Sequence, residues 1–334
     1  DVLMGVKEVP PSALIPNKTY LFFSHTIKKQ PYNRHLLQEV LKKQIRLIDY
    51  ECLKDEKGQR LIGFGRFAGI VGAYNALRGW GLRIGKFNLK PAHQCLDSKD
   101  LYAQLENLDW GNLRVVLTGG GRVAYGVIET LHAAGFKQID WPAFISGEGE
   151  GNVFTQIEYP VYNRRKDGTA FTKQDFYVHP ELFESDFHRF MHHADIYIAG
   201  HFWSSVAPRF FTSDDLLSPD NRIQLIADIS CDIDGPIPST IRASSIAEPF
   251  YGYNPQSQKE SAPFDASSIT VMAVDNLPCE LPRDASDDFS KTLTSTIIPL
   301  LINEPDHAIL QRATIVENGM LTSHYQYLSD YVAD

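Results

Sequence analysis

The sequence is poor in features that mark specialised chemistry or surroundings. Its four cysteines, Cys52, Cys95, Cys231 and Cys279, are far apart. None has the C-x-x-C spacing of a zinc or redox site, and four in 334 residues do not make a disulfide scaffold. Reduced thiols and a cytoplasmic setting are the expectation. No apolar run reaches the roughly 18–20 residues of a membrane span. No basic block interrupts a formal net charge of -9, which argues against nucleic acid or an anionic membrane as partner. There is no internal repeat, no low-complexity stretch and no signal-peptide pattern. The chain opens on Asp1, in what reads as a buried strand over Val2–Val6. A domain that begins in a core strand is expected to have a segment upstream.

What is present is an α/β rhythm. Thr19–Phe23 and Ile45–Tyr50 read as strands, with a helix between them from about Asn33 to Lys43. Phe64 to about Leu77 reads as a buried, glycine-rich helix, and Gly79 to Leu108 as a connection. Val115-Val116-Leu117, Ala194–Gly200, Ile223–Ile229 and Ile269–Val274 read as further strands, the last being the final clear one. Ser146 to Glu184 reads as a polar insertion, and about Arg283 to Leu301 as a helix. Strands alternating with helices predict parallel sheets covered on both faces.

The most informative stretch follows the strand at 115–117. Gly119, Gly121 and Ala124 match the G-x-G-x-x-A dinucleotide fingerprint, between a strand and a helix running to about Gly135. The first glycine permits a tight turn, and the second lets backbone approach a pyrophosphate. The small third residue lets helix and strand pack closely. Gly120, Arg122 and Val123 complete the turn, and the helix N-terminus offers N–H groups to phosphate. An acid about 20 positions on usually holds the ribose, and Asp140 fits that distance. An ordinary strand-to-helix turn is the bland alternative.

Ligands of open α/β sheets bind at the carboxyl ends of strands. Lys7-Glu8 and Ser24–Lys28 follow the first two strands, and Asp49–Glu51 follows the third. Asp228–Asp232 and Asp275–Pro278, with Leu277 among them, follow later ones. Parallel neighbours bring Lys7 and His25 to one rim, where they make a candidate acid/base pair. A solvated lysine and a structural histidine are the alternative. His188, His192 and His193 have helical spacing but no carboxylate or thiol to match, so no metal is expected.

Taken together, "GVKEVP" at 5–10, "FFSHTIKKQPYN" at 22–33, "LIDYECLKDEKGQR" at 47–60, "FGRFAGIVGA" at 64–73, "DISCDIDGPIPST" at 228–240 and "VDNLPCELPRDAS" at 274–286 resemble the lysine-forming saccharopine dehydrogenase family. The lysine–ketoglutarate reductase domain of bifunctional enzymes is similar, and both lie in the alanine dehydrogenase/transhydrogenase superfamily. The resemblance implies an α/β fold of two Rossmann-like doubly wound domains with an inter-domain cleft. It implies a substrate domain over 1–64, a nicotinamide dinucleotide domain over 65–282 and return helices over 283–334. It implies NAD or NADP as cofactor, with saccharopine, lysine and 2-oxoglutarate as substrates, in a monomer or small homo-oligomer.

By the same resemblance, Lys7 and His25 match the acid/base pair, Lys28 and Arg60 bind substrate carboxylates, and Glu8 and Glu51 flank the pair. Asp275 lies near the nicotinamide, and Asp232 matches an aspartate of the alanine dehydrogenase branch. The family's N-terminal substrate-binding arginine has no counterpart. An alanine dehydrogenase-like enzyme, or a non-catalytic nucleotide-binding homologue, is the competing reading.

Overall fold

The computed structural model describes residues 1–333. Two compact units emerge: Asp1–Gly63 with the segment from Ser286 onward, and Phe64–Ala285. Both are α/β; parallel pairing dominates the large sheet of the second unit, and the sheet of the first unit is mixed.

The first unit begins with β1 (Val2–Met4), β2 (Thr19–Phe22) and β3 (Arg46–Asp49), paired in parallel in that order. The helix Arg34–Lys42 crosses from β2 to β3 and buries Leu36, Leu37 and Val40 at i, i+1 and i+4. β1 is not the buried strand expected. It is an edge strand with Val2 48% and Met4 40% exposed. An unbroken apolar run does not say which faces are covered, and among the described residues β1 pairs with β2 alone.

The second unit starts with the helix Gly65–Ile84, which runs a full turn and more beyond the expected end. Gly79 reads in sequence as a breaker. In the structure it is a contact: a Cβ there would lie 2.8 Å from the Phe250 ring and 2.9 Å from Leu225. The helix is buried almost all round, so packing outweighs glycine's low propensity.

The sheet of this unit is built from β4 (Arg114–Thr118), β5 (Lys137–Gln138), β6 (Val153–Ile157), β9 (Ile196–Ala199), β10 (Leu225–Asp228), β11 (Phe250–Asn254), β12 (Lys259–Ser261) and β13 (Ile269–Met272), while β7 (Asn163–Arg165) and β8 (Phe183–Ser185) form a separate hairpin. Its order is β12-β11-β13-β10-β9-β4-β6-β5. The stretch from β5 to β13 is parallel, and β11 and β12 are added antiparallel. The expected polar insertion at 146–184 therefore contains β6, a buried strand beside β4. Its Val-Phe-Thr-Gln-Ile run is short and bounded by the Gly147–Gly151 loop, which masked it. β11 and β12 are strands beyond those expected from the sequence.

The helix Gly65–Ile84 crosses the helix Arg122–Ala133 at glycine contacts from both sides. A Cβ on Gly69 would sit 2.0 Å from the Val123 carbonyl oxygen, and one on Gly126 would sit 2.0 Å from that of Arg66. No rotamer relieves a clash with backbone. Gly126→Leu must force the helices apart and is expected to cost about 3 kcal/mol or more. Urea unfolding checks this; an unchanged midpoint contradicts the contact.

The chain then returns to the first unit through the helical run Pro282–Asn303. The return is not helical throughout. β14 (Thr314–Glu317) pairs antiparallel with β3, and β15 (Met320–Leu321) pairs with β14. The first sheet is thus five-stranded and mixed, and Ile269–Met272 is not the chain's last strand.

Candidate dinucleotide and proton-transfer sites

In the first unit, β1 and β2 stay paired past their ends: Gly5 N–H donates to the Leu21 carbonyl at 2.9 Å, and Phe23 N–H to that of Val6 at 3.1 Å. Lys7-Glu8 and Ser24-His25 therefore leave on one rim. His25 has φ +52°, a left-handed conformation that histidine tolerates better than most residues. Its ring stacks on Phe23 at 6.3 Å, and its Nδ1 lies 3.4 Å from Glu8 Oε1.

The conformation is fixed from below by Asp49. This buried carboxylate accepts from the Ser24 N–H at 2.9 Å, from the Ser24 hydroxyl, and from the Glu51 N–H at 2.7 Å. Ser24 Oγ also meets Thr26 Oγ1 at 2.8 Å. Burial pushes the Asp49 pKa up, and these donors oppose the shift. One side chain thus holds the turns that carry His25 and Glu51.

Glu51 pairs with Arg60 at 2.8 Å. Arg60 reaches it because residues 53–61 fold back: Leu61 N–H donates to the Leu53 carbonyl, and Lys54 bridges Arg60 antiparallel. Lys7, Lys28 and Arg60 are all exposed. The rim therefore carries three cations beside two carboxylates.

In the second unit, the three glycines of the turn differ in what they do. Gly119 has φ +114°, and a Cβ there would strike the Gly200 carbonyl oxygen at 2.4 Å, so it is needed for the fold. A Cβ on Gly120 would lie 2.6 Å from the Glu158 carboxyl carbon. Gly121 is extended and faces nothing within 4 Å. It is the N-cap of the helix Arg122–Ala133 and makes no side-chain cap bond. Ala124 is fully buried.

The parallel strands bring the other candidates to the same edge of this sheet. Asp232 is exposed in the turn after β10, where Cys231 has φ +52° and the Cys231 thiol donates to the Ala273 carbonyl at 3.0 Å. Asp275 is exposed after β13, and Leu277 is buried below it.

Asp140 is not beside the glycine turn. It follows β5, the outermost strand, with β6 between it and β4. Its carboxylate caps the helix Trp141–Ile145 by accepting from the Ala143 N–H at 3.1 Å. The acid at the end of the strand adjoining β4 is Glu158, after β6. The chain passes the neighbouring place in the sheet, forms the outer strand first, and returns. Counting 20 positions from Gly119 therefore lands on the outer strand, not on the one that adjoins β4.

No protein-family model matches the chain. The mitochondrial alpha-aminoadipic semialdehyde synthase of Rattus norvegicus is 30% identical over 383 residues, covering 98% of this chain and 40% of that protein. The L-lysine-forming saccharopine dehydrogenase of Neurospora crassa is 25% identical over 315 residues, covering 90% of this chain and 73% of that protein. The chain is a homologue of these two groups. It spans about 40% of the length of the synthases it matches. An L-alanine dehydrogenase has the same fold, with a TM-score of 0.63 and 14% identity over 99% of this chain and 81% of that one. A transhydrogenase from Sinorhizobium meliloti gives a TM-score of 0.54 at 12% identity, over 96% of this chain and 81% of that one.

Two further features were missed in the sequence. His201, just past β9, bonds Thr118 Oγ1 through Nδ1 at 2.7 Å, and burial pushes its pKa down to about 3. It is a neutral prop under the glycine turn. Beyond it lies an apolar recess of ≈ 210 Å³, lined by Tyr162, Tyr177, Phe202, Trp203 and Phe210 among others. Phe202 is 79% exposed and Tyr177 57%. The sequence signal for the recess is a density of aromatics in 159–211.

Proposed function

We propose that the chain is an NAD-dependent oxidoreductase of the saccharopine type: saccharopine, NAD+ and water give lysine, 2-oxoglutarate, NADH and a proton. The observation that carries this reading is the glycine turn. A glycine facing open space, at the uncapped start of a long helix, fits a pyrophosphate. Glu158 fits the ribose hydroxyls, and its charge disfavours a 2′-phosphate, so NAD(H) is preferred over NADP(H). Asp275 and Leu277 border the nicotinamide end. The aromatic recess between the chain after β6 and the chain after β9 suits the adenine. The bound nicotinamide supplies the hydride acceptor.

The first unit supplies proton transfer and charge. The secondary amine must be neutral before the carbon bearing it can give up hydride, and one of Lys7 Nζ and His25 Nε2 takes the amine's proton. The other takes a proton from the water that attacks the resulting imine carbon, and a proton is returned to the nitrogen as the C–N bond breaks and lysine leaves. Glu8, against Nδ1, fixes the ring so that Nε2 is the working atom. Lys28 and Arg60 hold substrate carboxylates by charge-assisted bonds, which explains cations on a rim of an acidic protein.

The test is Gly121→Val. The added side chain meets open space, so the variant should keep its melting temperature within about 2 °C. It should lose NADH affinity by roughly tenfold or more, because the branched side chain fills the pyrophosphate position. NADH fluorescence titration reads this. Unaltered affinity places the dinucleotide elsewhere.

A further inference from the structure

Glu280 is a carboxyl that no step above uses. It lies in the turn Leu277–Glu280 and is 1% exposed. Asn75, itself buried on the helix Gly65–Ile84, donates from Nδ2 to Glu280 Oε1 at 2.9 Å. From the turn Ala92–Gln94, His93 Nδ1 lies 3.8 Å from Oε2. One carboxyl therefore clips together three segments of the second unit.

The turn it clips runs on from Asp275. Leu277 is seated three residues before Glu280, in contact range of Gly72 on the same helix as Asn75. Leu277 and Glu280 thus pin the turn at two points. Leu277 is held by packing alone; Glu280 can change charge.

We propose that Glu280 is a positioning residue whose protonation sets how firmly the 275–281 turn is held, and through it how tightly the dinucleotide site grips its ligand. The second half of this statement rests on the proposed dinucleotide site. The charged groups facing Glu280 are few. From the helix Gly65–Ile84 there is Arg78, but its Nε is committed to the Leu89 carbonyl at 3.1 Å and its guanidinium lies 5.6 Å over the Phe250 ring. Tyr74, also on that helix, donates to the Lys90 carbonyl. From the turn at 92–94 there is His93. Cys279, on the carboxyl's own turn, is exposed.

Burial outweighs these partners and pushes the Glu280 carboxyl up from 4.5 to about 7. The closed turn therefore favours the neutral acid, and the opened turn, with the carboxyl in water, returns it to 4.5. Holding strength is full below pH 4.5, falls as pH rises toward 7, and is level above.

Amide hydrogen exchange across pH 5–8 tests the clip without any ligand. Cys279 and Leu281 donate to the Asn276 and Pro278 carbonyls and report the turn directly. In the wild type, their protection should fall by up to about tenfold per pH unit toward pH 7, then level off. Glu280→Gln keeps the shape and the acceptor for Asn75 but cannot ionise, so its protection should be flat. A merely structural role predicts one offset at every pH, and parallel profiles overturn the proposal. NADH titration of the same two proteins tests the coupling. Wild-type affinity should be about fivefold weaker at pH 8 than at pH 6, and the variant should lack this difference. If both bind NADH with the same pH profile, the coupling is overturned. If exchange behaves as stated and neither protein binds NADH, the dinucleotide reading fails and the clip stands.

Discussion

Lys7→Met and His25→Gln are each expected to lower kcat for NADH-dependent condensation of lysine with 2-oxoglutarate by roughly 10²–10⁴-fold. The rim geometry makes this more than a guess from residue type. Lys7 is exposed, so methionine there costs the fold little. His25 is held in a left-handed turn by the Ser24–Asp49 bonds, which do not involve its ring. Glutamine can therefore take its place without moving the turn. NADH affinity should stay within about threefold in both variants, since neither residue belongs to the glycine-turn unit. A surface lysine and a structural histidine predict something different: near-normal turnover in both. Steady-state rates with NADH titrations on the same preparations separate the two.

Glu158→Ser is expected to reverse cofactor preference. A carboxylate at the end of the strand beside β4 can accept two ribose hydroxyls, and it repels a 2′-phosphate across a few ångströms. Serine removes the repulsion and keeps one weak acceptor. kcat/KM with NADH should fall about tenfold or more, while that with NADPH should rise by a similar factor. Glu158 is exposed, so loss of fold does not confuse the result. If the NADH-to-NADPH ratio does not move, Glu158 is not at the ribose. The companion variant Asp140→Ala should leave the ratio unchanged and cost only a helix cap, about 1 kcal/mol.

The contrast between these two acids shows what the sequence could carry. Local signals were readable. The G-x-G-x-x-A turn, the strand ends at Lys7 and His25, and the helices at 34–42 and 122–133 each follow from a few adjacent residues. What failed depended on distant partners. Whether β5 or β6 lies beside β4 is decided by which strand buries more against the sheet, and Val153–Ile157 does while Lys137–Gln138 stays exposed. The helix from Gly65 passes through Gly79 because Phe250 and Leu225, far along the chain, fill the space. The apolar run of β1 points to a buried strand because such a run carries no record of its neighbours. Asp49 and Glu280 were legible as acids at element ends, but their burial was not.

The most direct measurement is NADH consumption by the purified protein with two substrate pairs. Lysine with 2-oxoglutarate should support turnover, and pyruvate with ammonium should give less than about one-tenth of that rate. The physical reason is the number of carboxylate partners: Lys28 and Arg60 suit a dicarboxylic keto acid, and pyruvate offers only one carboxylate. Faster turnover with pyruvate and ammonium contradicts the account and makes the chain an alanine dehydrogenase-like enzyme.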